Sequence, residues 1–215
     1  MAHRAVLFDL GGVVVGSPLH AIARYEREQG IAPGAINRVV VDTGPEGAWS
    51  RLERGELTLA QFYQAFDHDC AAAGHCISAR DLMVLVAEAT EPRPAMLAAI
   101  ARIRARGLLA AAVTNNWIAE DEGTGVLRPY FDLFVESAVV GIRKPDARIF
   151  TLACAQLAIA PAEAVFLDDI GRNLKAARAL GMTTVRVLEP RSALAELETL
   201  LGFPLTDFPE GMGAA

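Results

Sequence analysis

Carboxylate side chains directly follow two short apolar runs of this sequence, in positions where they could take part in chemistry. Asp9 comes after residues 5–8, and Asp168 and Asp169 come after residues 164–167. Carboxylates that crowd together repel one another and raise one another's pKa, so a cluster of three implies a bound divalent cation. Because all the ligands would be oxygen atoms, the pattern favours Mg²⁺, which usually keeps several waters and shares phosphate oxygens with its substrate.

Other polar residues follow a further apolar run and occupy a loop. Thr114 and Asn115 come after residues 108–113, and Lys144 lies in the loop 141–145. Each has an ordinary alternative role: the Thr-Asn pair can start a turn, Lys144 can be solvated, and the paired aspartates can cap a helix N-terminus. If all of them lie at one edge of a sheet, they form a site for a phosphorylated substrate.

Two residue patterns alternate along much of the chain. Short apolar runs rich in β-formers predict five strands, at residues 5–8, 108–113, 132–135, 164–167 and 184–188. Helical patterns lie at residues 94–106, 146–157 and 172–180, and in a last helix that Ser192 caps. This alternation predicts an α/β fold with a doubly wound parallel sheet. In such a sheet ligands bind at the carboxyl ends of the strands, which is where the candidate residues lie.

The region after the first strand carries helical patterns only, up to about residue 90. We therefore predict a catalytic core made of residues 1–15 and 91–202, with residues 16–90 inserted as a helical cap over the carboxyl end of the first strand. The remaining residues, 203–215, are rich in proline and glycine and are expected to form a flexible C-terminal tail.

Composition and charge exclude several classes of function. The 215 residues carry a formal net charge of −6 at pH 7, so neither nucleic acid nor an acidic membrane surface is expected as a partner. No apolar run approaches the roughly 20 residues that a transmembrane helix needs. Cys70, Cys76 and Cys154 form no disulfide framework, and with no secretory pattern at the start they predict a cytoplasmic location.

The motifs at the strand ends resemble those of the haloacid dehalogenase superfamily. The four motifs correspond here to Phe8-Asp9-Leu10-Gly11-Gly12-Val13, Val113-Thr114-Asn115, Lys144-Pro145 and Leu167-Asp168-Asp169. More narrowly, the chain resembles the amino-terminal phosphatase domain of soluble epoxide hydrolase and the corresponding domain of certain acyl-CoA dehydrogenase fusion proteins. The similar segments include Arg54-Gly55-Glu56-Leu57 in the helical region and extend to Leu200. The resemblance implies a Rossmann-like core with an inserted cap.

The resemblance also implies a reaction and the residues that carry it. Asp9 attacks phosphorus and forms an aspartyl-phosphate, which water then hydrolyses. Thr114 and Lys144 are further catalytic residues and, with Asn115, hold the phosphoryl oxygens. The Mg²⁺ cofactor is bound by Asp9, the Gly11 carbonyl and Asp169, with Asp168 and Asn173 orienting its ligands.

One position departs from the pattern of the superfamily's phosphatases. They usually carry an Asp two residues after the nucleophile, where it protonates the leaving group, but this chain has Gly11 there. Losing a positioned general acid typically slows a reaction by about 10² to 10⁴. Some sugar-phosphate phosphatases of the superfamily also carry Gly at this position and remain active, so the resemblance implies a phosphate monoester hydrolase that can be slow.

Two alternatives to a phosphatase remain open. The 2-haloacid dehalogenases of the superfamily also lack that Asp, although they work without metal and do not need the Asp168–Asp169 pair. These adjacent carboxylates would oppose the binding of an anionic haloacid, so the phosphatase is favoured. The other alternative is a catalytically degenerate domain that binds a phosphorylated ligand or a partner.

The expected substrate is a small-molecule phosphate ester. Trp117 comes just after Thr114 and Asn115 and is the aromatic residue expected to contact this substrate. Aromatic residues of the helical region could line a pocket for an apolar substrate tail, as the epoxide hydrolase resemblance suggests, but helical core packing explains them equally well. These residues are Trp49, Phe62, Tyr63 and Phe66.

Overall fold

A five-stranded, all-parallel sheet forms the centre of the computed structural model, which describes residues 3–118 and 123–205. The strands are β1 (Ala5–Phe8), β2 (Leu109–Thr114), β3 (Leu133–Glu136), β4 (Ala164–Asp168) and β5 (Thr183–Arg186). Their order in the sheet is β3-β2-β1-β4-β5. The doubly wound parallel sheet predicted from the sequence is thereby confirmed.

The helices fall into a group that follows β1 and a group that flanks the sheet. The first group contains α1 (Pro18–Glu28), α2 (Ala35–Asp42), α3 (Ala48–Glu53), α4 (Leu59–Ala72) and α5 (Ala79–Glu88). The second contains α6 (Pro94–Ala105), α7 (Ser137–Val140), α8 (Ala147–Gln156), α9 (Gly171–Ala179) and α10 (Pro190–Leu201). Within the described residues, no helix has both the length and the apolar character needed to cross a membrane.

The side chains of β1 alternate between two hydrophobic clusters. Val6 and Phe8 belong to a buried cluster that includes residues of α6 and α10, whereas Ala5 and Leu7 belong to one that includes residues of α8 and α9. All four side chains are fully buried, and burying a side chain of the size of Leu or Phe contributes roughly 1.5–3 kcal/mol. Both faces of the sheet are therefore covered, and a ligand has access only at the strand ends.

The sheet changes direction of winding at β1. This strand pairs with β2 on one side and with β4 on the other. The chain runs from β1 through β2 to β3 at one edge and then returns to β4 on the other side of β1 and on to β5. The connections that follow β1 and β4 therefore lead towards opposite edges, and the crevice at such a switch point is where open α/β sheets bind ligands. Asp9 follows β1 and Asp168 ends β4, so both carboxylates lie at this crevice.

Helices α1–α5 enclose a hydrophobic cluster of their own, separate from the two clusters against the sheet. The start of α4 is fixed by a capping box, in which Thr58 Oγ1 accepts the N–H of Gln61 and Gln61 Oε1 accepts the N–H of Thr58. The buried Glu26 carboxylate accepts the N–H groups of Gly34 and Ile36, at 2.7 and 2.8 Å, and so satisfies the first turn of α2. This helical segment, residues 18–88, is therefore a packed unit.

The structure corrects the predicted helices in two respects. The last helix begins at Pro190, and its cap is Glu189, whose carboxylate accepts the Ser192 N–H at 2.8 Å. Ser192 is therefore inside the helix and is not its cap. The sequence patterns did not indicate α3 or α7, because six and four residues are too few to show a helical period.

Leu205 corrects the predicted start of the flexible tail. Its side chain is fully buried in the cluster that includes α6 and α10, and its N–H donates to Glu198 Oε1 at 2.7 Å. The chain is therefore anchored to the core as far as residue 205. The rest of the predicted tail, residues 206–215, lies outside the described residues.

Candidate active site

Asp9 lies at the carboxyl end of the central strand. Its N–H donates to the Leu167 carbonyl at 2.9 Å, which continues the pairing of β1 with β4. Its Oδ1 accepts the N–H of Leu10 at 2.7 Å, and 7% of the residue is exposed. The end of β1 and the hydrogen bond from the Leu10 N–H therefore hold the nearly buried Asp9 carboxylate in a fixed orientation.

The turn after Asp9 depends on a glycine. Gly12 has a φ of 76°, a conformation that L side chains rarely adopt. A Cβ atom at this position would also collide with the Asp169 carboxylate. Gly12 therefore allows the loop after β1 and the loop after β4 to approach each other closely.

Lys144 is a fully buried cation between two carboxylates. Its Nζ lies 2.7 Å from Asp9 Oδ1 and 2.8 Å from Asp168 Oδ2. The Asn115 side chain holds the Lys144 backbone from both sides: Asn115 Oδ1 accepts its N–H at 2.7 Å, and Asn115 Nδ2 donates to its carbonyl at 3.0 Å. The loop that carries Lys144 is thus tied to the end of β2.

Asp168 is held by neighbours on every side. It is fully buried, and it accepts the N–H of Ile170 at 2.7 Å and the Asn173 amide at 3.1 Å in addition to Lys144. Asn173 lies on α9, one turn after the carboxylate. These bonds fix the position of Asp168 and leave the half-buried Asp169 as the more accessible carboxylate of the pair.

The carboxylates of Asp9, Asp168 and Asp169 form a candidate metal centre. One oxygen from each lies within 4.8 Å of the others, and no other such group of three or more His, Cys, Asp or Glu occurs in the residues that the structure describes. Carboxylate oxygens are ligands for hard cations such as Mg²⁺. The donor set therefore fits the cation expected from the sequence.

Burial and crowding shift the pKa values of these groups. Burial raises the pKa of Asp9 well above its ordinary value; the Lys144 charge opposes this shift, and Asp168 and Asp169 add to it. Burial and the Asp168 charge raise the pKa of Asp169 to about 6. Burial by itself lowers the pKa of Lys144, but the charges of Asp168 and Asp9 outweigh it and raise that pKa. Lys144 is therefore charged at neutral pH, and the cluster retains an excess of negative charge that a cation would neutralise.

A cavity of about 110 Å³ opens onto Asp9, Lys144 and Asp169. Its walls come from both the sheet and the helical segment, and they include Gly11, Trp49, Asn115, Trp117 and Asn173. Thr114, 3% exposed at the end of β2, lines an adjoining apolar cavity of about 120 Å³ together with Gly11, Asn115 and Trp117. The structure thus brings all the predicted site residues to the carboxyl ends of β1, β2 and β4.

The sequence prediction missed three charged residues of this cavity, Glu53, Arg143 and Arg172. Glu53 ends α3 and is nearly buried; it accepts the Trp49 indole N–H at 3.0 Å and the Asn115 amide at 3.2 Å, and it lies 2.6 Å from Arg143 Nε. The sequence offered two signals, since Trp49 and Glu53 are four residues apart on one helix face and Arg143 adjoins Lys144. Neither signal shows that these residues meet.

Two of the predicted substrate contacts, Asn115 and the aromatic residues of the helical segment, make other interactions in the structure. Both ends of the Asn115 side chain are engaged, with the Lys144 backbone and with Glu53, so this side chain positions Lys144. Phe62 and Phe66 are fully buried in the hydrophobic cluster of the helical segment. Core packing explains these two rings, whereas Trp49 packs in the same cluster and also reaches the cavity.

A solved structure with the same fold supports the assignment of the architecture. The HAD family enzyme bt-2542 from Bacteroides thetaiotaomicron, in complex with magnesium and inorganic phosphate, superposes with a TM-score of 0.62 and 19% identity, covering 86% of this chain and 94% of that one. At this identity the likeness establishes the fold alone.

Two curated relatives match nearly the whole chain. Acyl-CoA dehydrogenase family member 10 of Mus musculus is 40% identical over 209 residues, which cover 95% of this chain and 20% of that protein. Bifunctional epoxide hydrolase 2 of Sus scrofa is 32% identical over 225 residues, covering 97% of this chain and 40% of that protein. The chain thus spans less than half the length of either relative, and the two resemblances expected from the sequence are confirmed. Since the family model of haloacid dehalogenase-like hydrolases also matches residues 3–181, the chain belongs to that family of hydrolases.

Proposed function

We propose that this chain is a Mg²⁺-dependent phosphatase that hydrolyses phosphate monoesters through an aspartyl-phosphate on Asp9. The observation that carries the proposal is the contact of Lys144 Nζ with Asp9 at 2.7 Å and with Asp168 at 2.8 Å, beside the Asp169 carboxylate. A nucleophilic carboxylate, a buried cation and a candidate metal centre then share one small cavity. This combination suits a phosphoryl group, whose phosphorus accepts the nucleophile and whose negatively charged oxygens the two cations would contact.

The residues that would hold Mg²⁺ are Asp9, Asp169 and the backbone carbonyl of Gly11. Asp168, which accepts hydrogen bonds from Asn173 and Ile170, would hold the side chains of Asp169 and Lys144 in position. When bound, the ion supplies positive charge against the carboxylates and the phosphoryl oxygens. Mg²⁺ accepts such oxygen ligands together with water and substrate phosphate.

The chain's own residues account for the group transfer. The Asp9 carboxylate attacks phosphorus, an Asp9 O–P bond forms, and the bond between phosphorus and the ester oxygen breaks, so that the ester oxygen leaves with the bonding electron pair and takes a proton from water. Water then cleaves the aspartyl-phosphate, which releases inorganic phosphate and restores Asp9. Lys144, charged and buried, stabilises the negative charge of the transferring group, and the Thr114 hydroxyl donates to its oxygens.

The helical segment would act as a cap on this reaction. Trp49 and Glu53 of α3 and Pro18 of α1 line the cavity that contains Asp9. By excluding water they would strengthen the electrostatic interactions of Lys144 and Asp9. We accordingly propose residues 16–90 as the cap and residues 1–15 and 91–202 as the catalytic core.

The neighbourhood of Asp9 supports a phosphatase more strongly than a dehalogenase. A metal-free dehalogenase would leave Asp168 and Asp169 beside Asp9 with only Lys144 to balance their charge, whereas a phosphatase would place Mg²⁺ among the three carboxylates. The solved neighbour with the same fold was crystallised in complex with magnesium and inorganic phosphate, which are the metal and the product proposed here. The unpaired Cys70, Cys76 and Cys154 fit the reducing cytoplasm, which we propose as the location.

Release of inorganic phosphate from a panel of monoesters tests the proposal. Purified protein with Mg²⁺ should release phosphate, and chelation or Asp9→Asn should abolish the release. Asp42→Asn, an exposed carboxylate at the end of α2, is the matched control and should retain full activity.

Three results would contradict a metal-dependent phosphatase. Phosphate release that survives Asp9→Asn removes the nucleophile from the mechanism. Metal-independent chloride release from 2-chloropropionate, without phosphate release, would identify a dehalogenase. Tight binding of a fluoride-based phosphate analogue with Mg²⁺ but no turnover of any ester would identify a degenerate binding domain.

A further inference from the structure

Arg172 is a cation on the cavity wall whose charge has no partner among the described residues. It lies in the first turn of α9, exposed to solvent, three residues after Asp169. No carboxylate of residues 3–118 or 123–205 is within ion-pair distance of it. The two other cations of the cavity are paired, Lys144 with Asp9 and Asp168 and Arg143 with Glu53.

A second guanidinium, that of Arg143, lines the same cavity as Arg172. Burial lowers the pKa of Arg143, the Glu53 charge opposes this shift, and the positive charge of Arg172 lowers the pKa further. The Arg143 side chain is held by Glu53 at 2.6 Å and by Ser50 Oγ at 2.5 Å. Two like charges on one wall become favourable when an anion contacts both, because guanidinium groups form strong, charge-assisted hydrogen bonds with anionic oxygens.

The size of the cavity limits what can lie there. At about 110 Å³ it is well below the roughly 300–1,000 Å³ of sites for drug-sized ligands. An ester whose phosphoryl group meets Asp9 and Lys144 therefore has its leaving group close to the walls. A compact leaving group has Arg143 and Arg172 within reach on these walls.

We infer that the leaving group of the substrate carries a second anionic group and that Arg172 binds it, with Arg143 as the supporting cation. The inference rests on the proposed function for the position of the phosphoryl group. A carboxylate and a second phosphate both offer the required anionic oxygens. Arg172 is then a specificity-determining residue that contacts the substrate away from the reacting phosphorus.

Binding of phosphonates tests this inference without turnover, because their P–C bond is not hydrolysed. Calorimetry with Mg²⁺ should compare 3-phosphonopropionate with its amide, in which an uncharged group replaces the carboxylate. Ethane-1,2-diyl bisphosphonate, which carries a second phosphorus group, should be compared with the same amide. The wild-type protein should bind at least one of the two charged ligands about tenfold more tightly than the amide, the difference made by one charge-assisted hydrogen bond. The arm with the larger preference identifies the second group as carboxylate or phosphate.

Arg172→Ala should remove this preference and leave the affinity for the amide within about twofold. Lys175→Ala removes a charge from an exposed position of the same helix, outside the cavity wall, and should preserve the preference. Equal affinity of the wild-type protein for the charged ligands and the amide, equal weakening of both by Arg172→Ala, or no phosphonate binding at all would overturn the inference. If instead the Arg172-dependent preference is found but no ester releases phosphate, the proposed function fails and the anion subsite stands.

Discussion

The ring of Pro18 lies 3.1 Å from the position that a Cβ atom on Gly11 would take. Gly11 itself has φ −61° and ψ 126°, a backbone conformation that any residue can adopt. The chain therefore does not need glycine here for its turn. What limits a larger residue is the contact with Pro18, the first residue of α1 in the helical segment.

This relationship makes Gly11→Asp a feasible gain of function. The Pro18 ring has to move by a few tenths of an ångström, and the new carboxyl group can protonate the leaving oxygen. We expect kcat/KM for alkyl phosphates, whose leaving groups need a proton, to rise by about 10- to 100-fold. Hydrolysis of 4-nitrophenyl phosphate, whose leaving group is stable as an anion, should change little.

Gly11→Ala is the control, since it introduces the contact with Pro18 without the carboxyl group. Its Tm should match that of Gly11→Asp within a few degrees, and its alkyl phosphate hydrolysis should stay at the wild-type rate. If the Asp variant hydrolyses alkyl phosphates no faster than the Ala variant, another group already supplies the proton.

Asp169→Asn should stabilise the metal-free protein while abolishing its response to Mg²⁺. The pKa of Asp169 is raised to about 6 in the folded protein, from an ordinary value of 3.8. The folded state thus holds the proton more tightly than the unfolded state, and this group lowers stability as the pH rises from about 4 to 6. At higher pH the charged Asp169 carboxylate destabilises the folded state, and the Asn side chain removes that charge.

Thermal unfolding in EDTA at several pH values measures this effect. At pH 8 the Tm of the Asn variant should exceed that of the wild type by a few degrees, and the difference should shrink towards pH 4. Added Mg²⁺ should raise the Tm of the wild type only. A variant that is less stable than the wild type in EDTA would show that the Asp169 charge is already compensated in the metal-free fold.

The strand ends could be predicted because local sequence determines them. Residues 5–8 and 164–167 are short apolar runs that are followed by carboxylates, and a parallel sheet places the carboxyl ends of all its strands along one edge. This rule predicts that Asp9 and Asp168 lie at the same edge, and they are close together because β1 and β4 are neighbouring strands. The Lys144-Pro145 motif identified the loop that carries Lys144, but no local pattern in the sequence predicts the 2.7 Å contact of Lys144 with Asp9.

The contacts of Glu53 could not be predicted in the same way. It lies in a six-residue helix without a clear period, and its partners Asn115 and Arg143 are far away in sequence. Within the helical segment, only its spacing of four residues from Trp49 distinguishes it from the exposed Glu56. Only the docking of α3 against the sheet end decides which of the two glutamates becomes buried.

Lys144→Met should destabilise the metal-free protein as well as abolish hydrolysis. Met fills a similar volume but leaves the carboxylates of Asp9 and Asp168 without the cation that lies 2.7 and 2.8 Å from them. Breaking a buried ion pair in this way costs about 3–5 kcal/mol. Urea unfolding at pH 8 in EDTA should show a loss of this size.

The double variant Lys144→Met/Asp168→Asn tests the electrostatic origin of that loss. It removes one of the two carboxylate charges that Lys144→Met leaves without a cation. Because the two changes are coupled, the double variant should be more stable than Lys144→Met alone. Equal stability of the single and double variants would point to lost packing around the Lys144 stem. Lys144 Nζ also lies 5.4 Å from the centroid of the Phe166 ring, a cation–π contact that both variants lose alike.

Glu53→Gln should weaken both the fold and the reaction, because Glu53 links the helical segment to the loop of Lys144. The amide has one accepting oxygen where the carboxylate has two, so it keeps either the Trp49 bond or the Asn115 bond, and it no longer neutralises Arg143, which lies 2.6 Å away and is largely buried. We expect the free energy of unfolding to fall by about 3 kcal/mol. Displacement of Asn115, and with it Lys144, should lower kcat by roughly tenfold.

Glu56→Gln provides the matched control. Glu56 is exposed and pairs with Arg54 at 2.5 Å on the surface, where an ion pair contributes about 0–1 kcal/mol. Its loss should leave urea unfolding and phosphate release close to the wild type. If Glu53→Gln lowers stability but leaves kcat unchanged at a temperature where both proteins are folded, α3 holds the fold together without positioning Lys144. A loss of kcat with unchanged KM would instead show that the contact of α3 with Asn115 acts on the reacting groups.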